Sequence, residues 1–238
     1  MIEVYYKLVM QDYRSFEFYF NNISSILKEN YPPNDLLWVA YYENYARLIG
    51  EKNPKAALQS AEKALDILLQ NLPEDHIEVS KIHLLMGQIK NRQGKFLEAV
   101  DSLILALTVR QQHFNEGNIS MVEIYEQLCG AYLALSQKEE ATMYLELLLK
   151  IYSDNTFYHY TPVFIEVLQS YVVKNFPTPK PERERLLTQL GFMSHYQISD
   201  IMSCYQQLKK QNLKAALSAL TARADNYLNN ILQGRPMY

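Results

Sequence analysis

The stretch Ser80–Leu107 reads SKIHLLMGQIKNRQGKFLEAVDSLILAL, and Val122–Leu149 reads VEIYEQLCGAYLALSQKEEATMYLELLL. Laid over one another, the two segments are offset by 42 residues. Each holds an amphipathic helix, a tight turn, and a Glu-Ala pair that opens a second apolar-striped helix. Ala99 falls on Ala141, Leu103 on Leu145, and Ala106 on Leu148. A period of roughly 20 to 50 residues marks a stacked array, because one helical hairpin cannot bury its apolar face alone. The repeat therefore predicts an all-α architecture.

The pattern extends outward from this pair. Tyr13 to Asn30 carries an i, i+3, i+4, i+7 stripe, and Pro32-Pro33 stops it, leaving Asn34 or Asp35 to cap a helix from Leu36 to Ile49. After the turn at Gly50, Asn53 reads as an N-cap with Pro54 in the first helical position, opening a helix to Leu72. Ala57 lies 42 residues before Ala99, so Leu36–Leu72 is a first, more worn copy of the hairpin. Pro73-Glu74-Asp75 is read as opening the central copy. Thr161-Pro162 predicts a capped helix to about Phe176, and Pro177, Pro179 and Pro181 a stiff extended connector. Helices are expected over Ser199–Lys210 and Leu213–Leu232. Gln206–Leu217 again shows helix, polar turn and alanine opening, as a worn fourth copy would. The expected organisation is an aromatic-rich N-terminal helical cap (1–35), an array of three copies (36–152), and C-terminal helices (153–238) with a kink at 177–181.

Composition narrows the function classes. Apolar residues make up 48% of 238, ample for a core, and only 7 are glycine, which favours helix over sheet. With 23 basic and 26 acidic side chains, the net charge of −3 gives no electrostatic reason for nucleic acid as a partner. No run approaches 18 apolar residues, so no membrane span is expected. The N-terminus lacks the basic start and apolar block of a secretory signal. Two cysteines are too few for a disulfide framework, so the expected setting is a reducing cytoplasm. Cys129, at a small-residue position, should be a buried free thiol.

The central block resembles the tetratricopeptide repeat (TPR). That pattern is matched by His83, Met86-Gly87, Lys90, Gly94, Ala99, Leu103 and Ala106. In the next copy the matching residues are Tyr125, Leu128-Cys129, Tyr132, Ser136, Ala141, Leu145 and Leu148. Small residues let helices approach while large ones fill the gaps between them. The 42-residue spacing, the string QGKFLEA and the upstream DHIEV are similar to the longer repeats of kinesin light chains. Lys90 stands where the pattern wants an aromatic, Ser136 where it wants glycine, and Leu148 where it wants a small residue.

The resemblance implies an α-α superhelix whose first helices line a groove for a peptide or a partner helix. The residues placed to face it are Glu43 and Arg47 in the first copy and Lys81, Leu84, Gln88, Asn91 and Arg92 in the second. In the third they are Glu123 and Glu126, followed by Gly130, Leu133 and Ala134. Arg47, Lys81 and Arg92 beside Glu43, Glu123 and Glu126 predict a groove of both signs. The Lys, Asn and Arg set with which some family members clamp chaperone C-termini is not found.

No motif advertises catalysis. His76, His83, His113, His159 and His195 form no metal-ligand spacing, no nucleophile elbow occurs, and Gly87 and Gly94 are repeat glycines rather than a phosphate loop. Neither a cofactor nor a metal is expected. Aromatics crowd the N-terminal region (Tyr5, Tyr6, Tyr13, Phe16, Phe18, Tyr19, Phe20, then Trp38, Tyr41, Tyr42, Tyr45), on more than one helical face. Core packing explains them first; the alternative is a surface for a partner or a second copy of the chain in a homodimer. Phe157-Tyr158-His159-Tyr160 is a second aromatic cluster, in a loop. The function expected is a non-catalytic scaffold or adaptor binding a protein or peptide partner. The alternatives are a chaperone or peptide-regulated sensor, and more remotely an accessory subunit of an enzyme.

Overall fold

The computed structural model describes residues 13–155, 161–191 and 198–221, with the backbone alone described over 13–17. Helices and short turns account for these residues, and no strand occurs among them. The chain groups into two compact units, Met1–Asn115 and Glu116–Tyr238. The division falls in the loop between the second and third hairpins.

The first unit holds α1 (Tyr13–Asn30), α2 (Leu37–Ile49), α3 (Pro54–Asn71), α4 (Ile77–Arg92) and α5 (Phe96–His113). Helices α2 with α3, and α4 with α5, pair as hairpins, and α3 also packs on α4. The start signals act locally. Asp35 Oδ1 accepts from the Leu37 N–H at 2.8 Å, and Asn53 Oδ1 accepts from the Ala56 N–H at 3.1 Å, just ahead of Pro54. Pro73-Glu74-Asp75 does not itself open α4: the His76 N–H bonds back to the Pro73 carbonyl at 3.0 Å, closing a turn. His76 then becomes the cap, its Nδ1 accepting from the Glu78 N–H at 3.2 Å.

The core of this unit follows the apolar stripes. Ala57, Ala61 and Ala64 of α3 are fully buried, with Ile82, Leu85 and Ile89 of α4 packed into the same cluster. Phe20 of α1 meets Tyr41 and Tyr45 with ring centroids 5.4 Å apart, and Trp38 stacks on Tyr42. Of the described aromatics of this region, Phe20, Trp38, Tyr41, Tyr42 and Tyr45 serve packing, whereas Phe18 and Tyr19 are exposed, as are Ile23 and Ile26 of α1. The expectations for Tyr5, Tyr6, Tyr13 and Phe16 lie outside the described side chains, as does the loop cluster at 157–160.

Among the described residues of the first unit, one charge is buried, that of Arg110. The Arg110 Nε donates to Ser80 Oγ at 3.1 Å, and that hydroxyl donates to the Ala106 carbonyl at 3.0 Å. Replacing Ser80 by alanine should therefore cost about 1.5 kcal/mol in urea unfolding, the scale of a hydrogen bond to a charged group. Unchanged stability would mean that the hydroxyl does not support the guanidinium.

The second unit contains a 3₁₀ turn (Ile119–Met121), α6 (Val122–Ala134), α7 (Lys138–Asp154), α8 (Pro162–Asn175), α9 (Pro181–Leu190) and α10 (Ile198–Lys209). A further helix, α11, is described over 213–221. Helix α6 pairs with α7 and also packs on α8, which pairs with α9. The extended connector is shorter than its prolines suggest. Pro181 sits in the first helical turn of α9, where its missing N–H costs nothing, and Glu182 and Glu184 favour that helix start. The Gln169 side chain ties α8 to α9 through the Leu187 carbonyl at 3.0 Å.

Three hairpin turns share one backbone geometry. Gly94 (φ 73°), Ser136 (φ 63°) and Gln211 (φ 57°) all take the left-handed conformation. In each turn the next N–H bonds to the carbonyl five residues back, at 3.0 Å from Lys95, 2.9 Å from Gln137 and 3.0 Å from Asn212. Only the first uses glycine, which adopts positive φ without steric cost. Counted from these turns, Gly87, Cys129 and Cys204 occupy one position, Ala99, Ala141 and Ala216 a second, and Leu103, Leu145 and Leu220 a third. All are buried, and both cysteines are free thiols. The Cys129 thiol donates to the Ala141 carbonyl at 3.1 Å. Gly87 is the tightest of the set: a Cβ there would lie 2.6 Å from Cγ and Cδ2 of Leu103 and 3.4 Å from the Ala99 carbonyl.

Candidate functional site

In the first unit, α2 presents Glu43 and Arg47 one turn apart. Arg47 donates through Nε and Nη2 to Glu43 Oε1 at 3.1 and 2.9 Å. Helix α4 carries Lys81, Leu84, Gln88, Asn91 and Arg92 along one face, as helical spacing requires. The ends of that stripe are open and its middle is covered. Lys81 is half-exposed and pairs with Glu78 at 2.5 Å, and Arg92 is exposed. Leu84 is 2% exposed and Gln88 9%, while Asn91 is intermediate. Arg92 Nη1 reaches to 3.6 Å from where a Gly50 Cβ would stand, against the C-terminus of α2, where the helix dipole favours a cation. Arg47 belongs to that same last turn. The structure thus brings Arg92 to the end of α2 and pairs Glu43 with Arg47. Lys81 is tied to a neighbour on its own helix.

Lys90, which replaces an aromatic of the repeat pattern, turns inward and donates to Ser102 Oγ at 2.9 Å. His83 is half-buried, and burial, with Lys90 nearby, holds its imidazole below its usual pKa. At the corresponding place in the second unit, Tyr132 stacks on Tyr144 with centroids 5.8 Å apart.

Of the residues placed on the third-copy face, Glu123 is exposed and Glu126 is buried, 2% exposed. Glu126 Oε1 accepts from the Tyr152 hydroxyl at 3.1 Å and from the Thr161 hydroxyl. Burial pushes the Glu126 carboxyl up to about 7, against the two hydroxyl bonds that favour its charge. Tyr152, also raised by burial and then by Glu126, is not singled out by its sequence. Thr161 is legible in the sequence only as a helix cap, which it is: Oγ1 accepts from the Phe164 N–H at 3.0 Å.

A second feature lies outside the sequence reading. Helices α7 and α10 enclose an open cleft of about 400 Å³ whose walls include Glu146, Lys150, Asp154, Met202, Tyr205 and Lys209. Glu146 accepts from Lys209 at 2.5 Å and from the Tyr205 hydroxyl at 3.3 Å, closing one end. The signal for it, a Glu and a Lys on helices far apart in sequence, cannot be extracted without the fold.

Two of the three described histidines serve local structure: His76 caps α4, and a His113 ring nitrogen bonds the Asp75 carbonyl at 2.7 Å. Among the described residues, no group of three His, Cys, Asp or Glu side chains is placed to hold a metal ion, and no helix is long and apolar enough to cross a membrane. His159 and His195 lie outside the described residues.

No family model and no curated protein matches the chain. Among solved structures it is similar to a crystal structure of a Podosopora anserina protein, described as a kinesin light chain with nearly identical TPR-like repeats. The TM-score is 0.57, with 16% identity over 87% of this chain and 85% of that one. A second crystal structure under the same Podosopora anserina description gives a TM-score of 0.49, with 17% identity over 81% of this chain and 98% of that one. With helices and no strand among the described residues, and with its repeated helix pairs, the chain has the fold of a TPR-like helical repeat protein.

Proposed function

We propose that the chain is a non-catalytic scaffold or adaptor that binds a peptide or helix of a partner protein on the first helices of its hairpins. The observation that carries this reading is the face of α4 with the end of α2. Accessible Lys81, Arg92 and Arg47 stand there, Arg47 beside Glu43 and Lys81 beside Glu78, on a well-packed support. Such a surface offers a partner a polar rim whose charges set register and orientation more than affinity. Leu84 and Gln88, covered in the middle of the stripe, act as its support. The low sequence identity to the structures of like fold transfers no partner from them.

The test is charge reversal at Lys81 and Arg92 together. Capture of partners from native lysate, read by mass spectrometry, should fall at least about 10-fold, the scale of losing one or two interface charges. The circular dichroism spectrum should remain helical. Undiminished capture would place the binding face elsewhere.

A further inference from the structure

We propose that the Glu126 carboxyl is a proton-operated latch, which fixes the α8–α9 hairpin on α6 and α7 when protonated and loosens it when ionised. Three elements meet at one oxygen. Glu126 comes from α6, Tyr152 from α7, and Thr161 is the N-cap of α8. The chain of bonds continues beyond the carboxyl. The Thr161 N–H donates to the Tyr152 hydroxyl at 3.5 Å, and Thr161 Oγ1 accepts from the Phe164 N–H. Phe164, fully buried, packs on the Tyr152 ring with centroids 4.7 Å apart. Whatever disturbs the carboxyl is therefore felt at the first turn of α8.

The balance of forces sets the direction. Among the described residues, the charged and titratable groups acting on Glu126 are Tyr152 from α7 and Glu123 from α6 itself; α8 contributes the neutral Thr161 hydroxyl. Glu123 repels a second negative charge. Among the described residues, the ion pairs of this unit form elsewhere, at Arg183–Glu184 and Lys209–Glu146. Two neutral hydroxyl donors and the N-terminus of α8 favour the carboxylate. Taking a carboxylate out of water with no cation beside it among the described residues costs more than such neutral donors return. Burial wins, and the proton stays on through the mildly acidic range, where the neutral carboxyl still accepts both hydroxyl bonds. Ionisation favours an opened state in which water reaches the carboxylate, and the contact most readily given up is the one with the Thr161 cap.

Two measurements on the intact chain test the latch. Carbon-13 NMR of the Glu126 side chain should show a titration midpoint near 7; a midpoint near the ordinary value of 4.5 would overturn the proposal. Hydrogen exchange, corrected for intrinsic rates, should show protection over 162–175 falling by on the order of 100-fold between pH 5 and pH 8. Protection over 77–92, in the other unit, should change much less. In Glu126→Gln the fall over 162–175 should vanish. If it persists there, or if protection falls equally everywhere, the carboxyl is not the latch. Should the variant fail to fold, the wild-type titration decides alone.

Discussion

Leu103→Ala is expected to destabilise the protein by about 3 kcal/mol, and adding Gly87→Ala to that variant to return about 1 kcal/mol. Gly87→Ala alone is expected to cost about 2 kcal/mol. The inversion of sign follows from one contact. A Cβ at Gly87 would stand 2.6 Å from both Cγ and Cδ2 of Leu103, and Leu103 is fully buried in α5. Because Cγ is a branch point and not a flexible end, the whole side chain or the helix must shift. That strain outweighs the roughly 1 kcal/mol that alanine gains over glycine inside a helix. With Leu103 trimmed, the obstructing atoms are gone, and the new methyl enters the vacated space. Urea unfolding of the four proteins gives the coupling directly. If Gly87→Ala is harmless in the parent, or as costly in the Leu103→Ala background, the close approach of α4 and α5 is not what holds Gly87 in place.

That contact also shows why the fold is readable in the chain. A repeat writes its packing constraints more than once: Gly87, Cys129 and Cys204 are all small, and Ala99, Ala141 and Ala216 all open a second helix. Each position is seen three times, so even Ser136 and Gln211, which lack the expected glycine, can be placed by their neighbours. Helix α9 escapes the sequence reading because three prolines in five residues read as one extended connector. Its start signal, Pro181 followed by two glutamates, uses the same residue that elsewhere breaks helices.

The candidate site is legible only in part. Helical periodicity puts Lys81, Leu84, Gln88 and Arg92 on one face, and they share one. Periodicity says nothing about what covers that face, so it does not separate accessible Lys81 and Arg92 from covered Leu84 and Gln88. Glu126 illustrates the same limit. Its burial depends on Tyr152 and Thr161, 26 and 35 residues away, and no local pattern links a carboxylate to a helix cap at that range.

Glu126→Gln is expected to be more stable than the parent by about 2 kcal/mol at pH 8, and equal to it within about 1 kcal/mol at pH 5. The sign follows from proton linkage. The unfolded carboxyl titrates near 4.5 and the folded one near 7, so the folded state binds the proton more tightly. Below pH 4.5 both states are protonated and the carboxyl's contribution is fully present. Between 4.5 and 7 the unfolded chain releases its proton while the folded chain keeps it, so stability falls as pH rises. Above that range the loss is complete, about 3 kcal/mol for a shift of this size. Glutamine stays neutral throughout, and its side-chain oxygen can still accept from Tyr152 and Thr161. It forgoes the pH-dependent loss, while a new amide donor without an assured partner takes back about 1 kcal/mol. The other carboxylates titrate alike in both proteins and cancel in the difference. Urea midpoints from pH 5 to pH 8.5 should therefore diverge across 5 to 7 and run parallel above. Curves parallel across the whole range would show that Glu126 ionises in the folded protein as readily as in water, and the latch would fall with it.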